Sequence, residues 1–142
     1  MTTSNKTIIG CLESCTLPDL GIVDMNIRID TGAKTSSLHV DNIKKYVKDG
    51  ATQVQFDIHP DIHNVSNIVT CHAKVSDIRR IKSSNGGSEQ RYVIKTPIKL
   101  GKHCWEIEIT LTNRADMSYL MLLGREGLSD LFLVDPSAVF LA

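Results

Sequence analysis

Four tracts of the chain alternate apolar and polar residues with a period of two, the pattern of strands with one buried face. In the first, Val23, Met25, Ile27 and Ile29 interleave with Asp24, Asn26, Arg28 and Asp30. Val54, Phe56 and Ile58 form the second, and Val69, Cys71, Ala73 and Val75 the third. Trp105, Ile107, Ile109 and Leu111 form the fourth, between Glu106, Glu108, Thr110 and Thr112. Just before it, Tyr92, Ile94, Thr96, Ile98 and Leu100 also share a face. Turn signals punctuate the tracts: LPDLG at 17–21, KDG at 48–50, HPDIHNVSN at 59–67, SSNGGS at 83–88 and LGKH at 100–103. Short alternating strands at this spacing predict an all-β sandwich or barrel. The segment SSNGGSEQ reads as the tip of a long hairpin joining VSDIRRIK to the strand after it, with Gly86 and Gly87 supplying positive φ. One short helix is expected, Arg125 to Leu131. No repeat or linker divides the chain, so residues 1–142 are read as a single domain.

Composition narrows the picture. A chain of 142 residues buries roughly 68–70% of its unfolded surface and needs no staples. Lys plus Arg and Asp plus Glu are 16 each, for a formal net charge of zero, so neither nucleic acid nor a membrane surface is an expected partner. The segment MTTSNKTIIG lacks the apolar core of a secretion signal, and a cytoplasmic protein is expected. Four cysteines are then expected to be reduced. Two zinc sets can be drawn, one from Cys11, Cys15, Cys71 and His72, the other from His59 and His63. The first lacks paired ligand knuckles, and Pro60 breaks the helical spacing that the second would need. No metal and no cofactor are expected.

The candidate chemistry lies where the first strand ends. Asp30 is followed by Thr31, Gly32 and Ala33, a carboxylate with almost no side-chain bulk after it. Room of this kind suits a second carboxylate. Two acids in one site cannot both ionise, so the pair holds a single proton and can serve as base and acid together. The sequence contains one such tripeptide. Either a second copy of the chain brings the other acid, or Asp30 is an ordinary turn residue.

The motif IRIDTGAKTSSL, with the later YLMLLGREGL, resembles the retropepsin pattern, in which an apolar strand leads into Asp-Thr-Gly-Ala and a later Leu-Gly-Arg opens a C-terminal helix. DTGAKTSSLH, SSNGGSEQRYVIKTPIKLG, ITLTNRADMSYLMLLGREGL and FLVDP are similar to a bacterial retropepsin-like family that carries the label ATP-dependent zinc protease. The similarity runs from about Ile22 through Pro136. It implies a small closed acid-protease β-barrel and a homodimer with its active site on the two-fold axis. By the same resemblance Asp30 is the catalytic carboxylate, Thr31 a hydroxyl bonding across the dimer, and Gly32 the backbone lying against bound peptide. Leu123 and Gly124 are the strand end that packs beside the Asp30 loop, Gly86 and Gly87 form the flap tip, and Ala33 and Arg125 contact the substrate.

Two positions depart from the retropepsin pattern. Lys34 stands where many retroviral enzymes have an aspartate pairing the arginine of Gly-Arg, so repulsion of Arg125 is expected, with Asp130, Glu126 or Asp116 as its alternative partners. Ala33 replaces the serine of pepsin-like enzymes, which implies a less acidic optimum. No phosphate loop, H-E-x-x-H or convincing zinc set supports the family label's other words. Relatives of the family are associated with ATP-grasp ligases that add amino acids to proteins. His39 and Arg91 also fall in family-like motifs, His39 as a partner of the dyad loop or as a structural histidine. The implied activity is an aspartic peptidase acting on a peptide or protein. The alternative is a non-catalytic module holding a peptide by strand addition.

Overall fold

A computed structural model describes residues 6–59, 67–82, 86–113 and 119–142. In chain order the strands are β1 (Thr7–Gly10), β2 (Leu12–Leu17), β3 (Ile22–Ile29), β4 (Ser36–His39), β5 (Asp41–Lys48) and β6 (Ala51–Ile58). They continue with β7 (Val69–Lys74), β8 (Asp77–Lys82), β9 (Ser88–Leu100), β10 (His103–Thr112), β11 (Met121–Leu123) and β12 (Phe132–Asp135). One helical turn, α1, spans Arg125–Leu128.

Six strands close on themselves in the order β10, β4, β11, β3, β2, β9 and back to β10. Closure gives each of these six strands a neighbour on both sides. Its interior is filled by the predicted faces: Met25, Ile27 and Ile29 from β3, Ile94 and Ile98 from β9, Ile107, Ile109 and Leu111 from β10. β8 extends this sheet by pairing with β9, and β5, β6 and β7 form a separate antiparallel sheet. Val54, Phe56, Ile58 and Cys71 pack from that sheet into the same core. β1 and β12 run parallel as a third, two-stranded sheet. Buried Glu13 fastens this end of the molecule: its carboxylate accepts N–H bonds from Gly10 (2.7 Å), Leu141 (2.8 Å) and Ala142 (3.2 Å).

Two expectations need correction. Val23 is 70% exposed and Ile22 is buried in its place. The pairing of β2 with β3 shifts between Cys15 and Leu17, and Asp24 takes φ 53°. This bulge inserts a residue and reverses the in–out phase at the start of β3. The helix is also shorter than expected. Ser129 takes φ 55° and ψ −147°, far from helical dihedrals, and the chain turns into β12.

The hairpins follow their turn chemistry. Asp49 and Gly50 both take positive φ, 54° and 78°, between β5 and β6, as a type I′ turn requires. The β8–β9 hairpin pairs Lys82 with Ser88. At its tip Gly86 takes φ 88°, while positions 83–85 lie outside the described residues. The predicted turn at 59–67 also lies largely outside them, His63 included.

Candidate active site

β3 delivers Asp30 to a loop held by main-chain bonds together with the Asp30, Ser36 and Arg125 side chains. The Asp30 N–H donates to the Leu123 carbonyl (2.9 Å), continuing the parallel pairing of β3 with β11 by one step. The Ala33 N–H donates back to the Asp30 carbonyl (3.2 Å), and the Gly32 N–H to Asp30 Oδ1 (3.1 Å). The carboxylate is thereby oriented by its own turn, as short acidic side chains do in loops. Asp30 and Ala33 are half-buried, and Thr31 and Gly32 are exposed.

The loop after β11 clasps this turn. The Arg125 N–H donates to the Ala33 carbonyl (2.9 Å), the Glu126 N–H to that of Lys34 (3.1 Å), and the Gly124 N–H to Ser36 Oγ (3.0 Å). A Cβ at Gly124 would lie 2.7 Å from the Thr35 carbonyl oxygen and 2.9 Å from that of Ala33. Only glycine allows the two loops this approach. Gly127 is similarly enclosed, with Ser36 Oγ 2.8 Å from where its Cβ would stand.

Arg125 and Lys34 do not meet as expected from their charges. Arg125 Nη1 donates to the Thr31 carbonyl (2.9 Å), and Lys34 Nζ pairs with Glu126 at 3.9 Å. Glu126 thus takes the ammonium, and the guanidinium, whose fixed fork suits oxygen acceptors, braces the main chain of the Asp30 loop. Asp116 lies outside the described residues. Asp30, Thr31, Gly32, Ala33 and Arg125 therefore come together in one cluster.

A cleft of about 500 Å³ opens beside it, lined by Lys34, Thr35 and Glu126 on one side and by Arg79, Arg80 and Ile81 of β8 on the other. Its hairpin wall comes from the β8 stem, whereas Gly86 and Gly87 occupy the exposed tip. Arg79 is bound to Asp77 and Glu108, both at 2.8 Å. Arg80 bonds the Ser88 hydroxyl (3.2 Å), which leaves its charge unneutralised by that contact. Ser36, Arg79 and Arg80 escaped the sequence reading because no local pattern separates them from surface residues, and Glu126, expected as a partner of Arg125, pairs with Lys34 instead. His39 lies on β4 beside Thr112, its N–H bonded to the Leu120 carbonyl (2.7 Å).

Among the described residues, no group of three or more His, Cys, Asp and Glu is arranged to hold a metal ion. His59 Nε2 instead meets Asp41 at 2.8 Å. Cys15 and Cys71 are buried thiols, pushed up to about 12 and about 11 mainly by burial.

Residues 8–142 match the model of the RimB-like family, described as retropepsin-like aspartic endopeptidase RimB. The chain belongs to this family. The family description is of an aspartic enzyme, and the zinc label in the resemblance finds no support in it. A protein of Shewanella halifaxensis named "Probable alpha-L-glutamate ligase" is 51% identical over 136 residues, which cover 96% of this chain and 30% of that protein. One of the same name from Desulfotalea psychrophila is 48% identical over 132 residues, covering 93% and 28%. The chain thus spans less than a third of the length of these relatives. The crystal structure of a Legionella pneumophila protein of unknown function superimposes with a TM-score of 0.79 at 30% identity, covering 95% of this chain and 97% of that one. No helix among the described residues is long and apolar enough to cross a membrane.

Proposed function

We propose that the chain is an aspartic-type peptidase that works as a homodimer in the cytoplasm, one Asp30 coming from each copy. The observation that carries this reading is the clasped loop, which holds a half-buried carboxylate in a fixed turn with only small residues after it. One such acid per chain supplies half of a dyad. In the pair, the ionised Asp30 takes a proton from water as the water oxygen bonds to the scissile carbonyl carbon. The protonated Asp30 gives its proton to the carbonyl oxygen. The tetrahedral intermediate collapses as the C–N bond breaks: the Asp30 that took the water proton gives it to the leaving nitrogen, and one hydroxyl of the intermediate returns its proton to the other Asp30 as the carbonyl re-forms, restoring the singly protonated pair. Arg125 holds the Thr31 carbonyl, keeping the Asp30 loop in register while charge moves. Thr31 and Gly32 face the partner copy and the peptide.

The substrate we infer is an acidic chain carrying α-linked glutamate. Relatives containing a matching region are named as α-L-glutamate ligases, and the cleft beside the loop carries Arg80, bonded to a neutral hydroxyl, next to Lys34 and Arg79, whose charges are met by Glu126 and by Asp77 and Glu108. The chain then works alongside an ATP-grasp ligase, acting on what the ligase builds. Arg80 also favours a second reading, a non-catalytic module that holds the same acidic chain.

The deciding experiment compares wild type with Asp30→Asn on peptides bearing a glutamate tract and on neutral peptides, across roughly pH 4–8 to span a raised dyad pKa. Cleavage of the acidic peptide by wild type, abolished in Asp30→Asn, is expected. Binding without cleavage by a dimeric wild type would replace the peptidase with the binding module.

A further inference from the structure

Arg91 is a charged side chain with only 6% exposure, and the proposed chemistry leaves it unused. Burying a guanidinium is costly unless its donors are matched. Its cross-strand neighbour in the β8–β9 hairpin is Arg79, so two like charges share one face of the hairpin, an arrangement that by itself destabilises. The two cations are discharged separately. Arg79 turns to Asp77 and Glu108, whereas Arg91 Nε donates to Glu89 Oε1 (3.2 Å).

From Arg91 the bonding runs inward. Its Nη1 donates to Thr110 Oγ1 (3.4 Å), and the Thr110 hydroxyl donates to the Ser36 carbonyl (3.1 Å). Thr112 Oγ1 donates to Glu89 Oε1 (2.8 Å), tying the same carboxylate to β10. Ser36 is also the residue whose Oγ receives the Gly124 N–H, and Gly124 packs on the Thr35 and Ala33 carbonyls. A continuous set of bonds thus joins the hairpin that walls one side of the cleft to the clasp around Asp30. Arg91, Thr110, Thr112, Ser36 and Gly124 are buried, whereas Glu89 at one end and Ala33 and Thr35 at the other are half-buried.

We infer that Arg91 is a positioning residue, a strut that sets the spacing between the β8–β9 hairpin and the Asp30 loop through Thr110 and Ser36. As a contribution to catalysis this rests on the peptidase reading. As a mechanical coupling it does not. A lysine at 91 keeps the charge, but a single ammonium lacks the fork that reaches Glu89 and Thr110 together.

The test uses the full chain with Arg91→Lys, Thr110→Val and the double variant, Thr110→Val keeping the shape of the site. Hydrogen exchange is followed at the amides of Gly124, Arg125 and Glu126, none of which has its hydrogen bond to Arg91. Each single variant is expected to speed their exchange about tenfold, and the double variant to add little, as residues in one network behave. Cleavage of the glutamate peptide should fall in kcat/KM by a similar factor. Faster exchange confined to the β8–β9 amides, or additive effects of the two substitutions, would overturn the strut. If wild type cleaves nothing, the peptidase reading fails while the exchange data still decide the role of Arg91.

Discussion

A methyl group at position 124 would stand 2.7 Å from one carbonyl oxygen and 2.9 Å from another, both in rigid main chain. Gly124→Ala is therefore expected to lower stability by about 1–3 kcal/mol in urea denaturation. It should lower cleavage further, because the displaced atoms belong to the Asp30 loop. The thiols behave differently. Cys15 and Cys71 are held as neutral thiols by burial, pushed up to about 12 and about 11, whereas Cys104 is exposed. Alkylation followed by mass spectrometry at pH 8 should modify Cys104 and spare Cys15 and Cys71 while the protein stays folded. The sign of the pH effect follows. Above about pH 9 the unfolded chain releases thiol protons that the folded chain retains, so stability should fall from there toward pH 12. Chemical denaturation between pH 8 and 10.5 checks this. At this scale Asp30 and its small neighbours were legible, since a tripeptide after a strand is a local signal. Ser36 as the acceptor for Gly124 was not, because the two are separated by 88 positions.

At the scale of elements, periodicity located the main strands because each has one face in the core. It failed where the backbone interrupts its own period. The bulge at Asp24 exposes Val23, and alternation alone cannot register an inserted residue. Periodicity missed the short strands β4 and β11, whose three or four residues carry too little pattern, and only the resemblance gave the strand end at Leu123; the two complete the barrel and flank the site. The expected helix ends early at Ser129, whose φ of 55° and ψ of −147° suit glycine. Ser129→Gly should relieve this strain and raise stability by up to ~1 kcal/mol, measured as a higher denaturation midpoint at unchanged slope. The β5–β6 turn offers the opposite case. Gly50→Ala imposes a side chain on φ 78° and should cost about 1 kcal/mol by the same measurement.

For the whole molecule, the central question is assembly, since each chain offers one Asp30. In the proposed homodimer, mixing equal amounts of wild type and Asp30→Asn and letting them exchange should leave about a quarter of the dimers with two intact acids. Activity would then fall to about a quarter of that of the same total of wild type, instead of the half expected if each chain worked alone. A titration of cleavage rate against the inactive variant separates the two. The sequence by itself determined the β class, the main hairpins, the turn residues and the lone candidate acid, because each is written in neighbouring residues through period, φ preference or small size. The closed barrel that the resemblance implied is present, and tertiary structure alone decided which six strands close it and in what order, that Arg125 braces the Thr31 carbonyl while Lys34 pairs with Glu126, and that Arg91 is linked to the Asp30 clasp. Those depend on which distant segments meet, and a close contact between distant residues leaves no periodic trace along the chain.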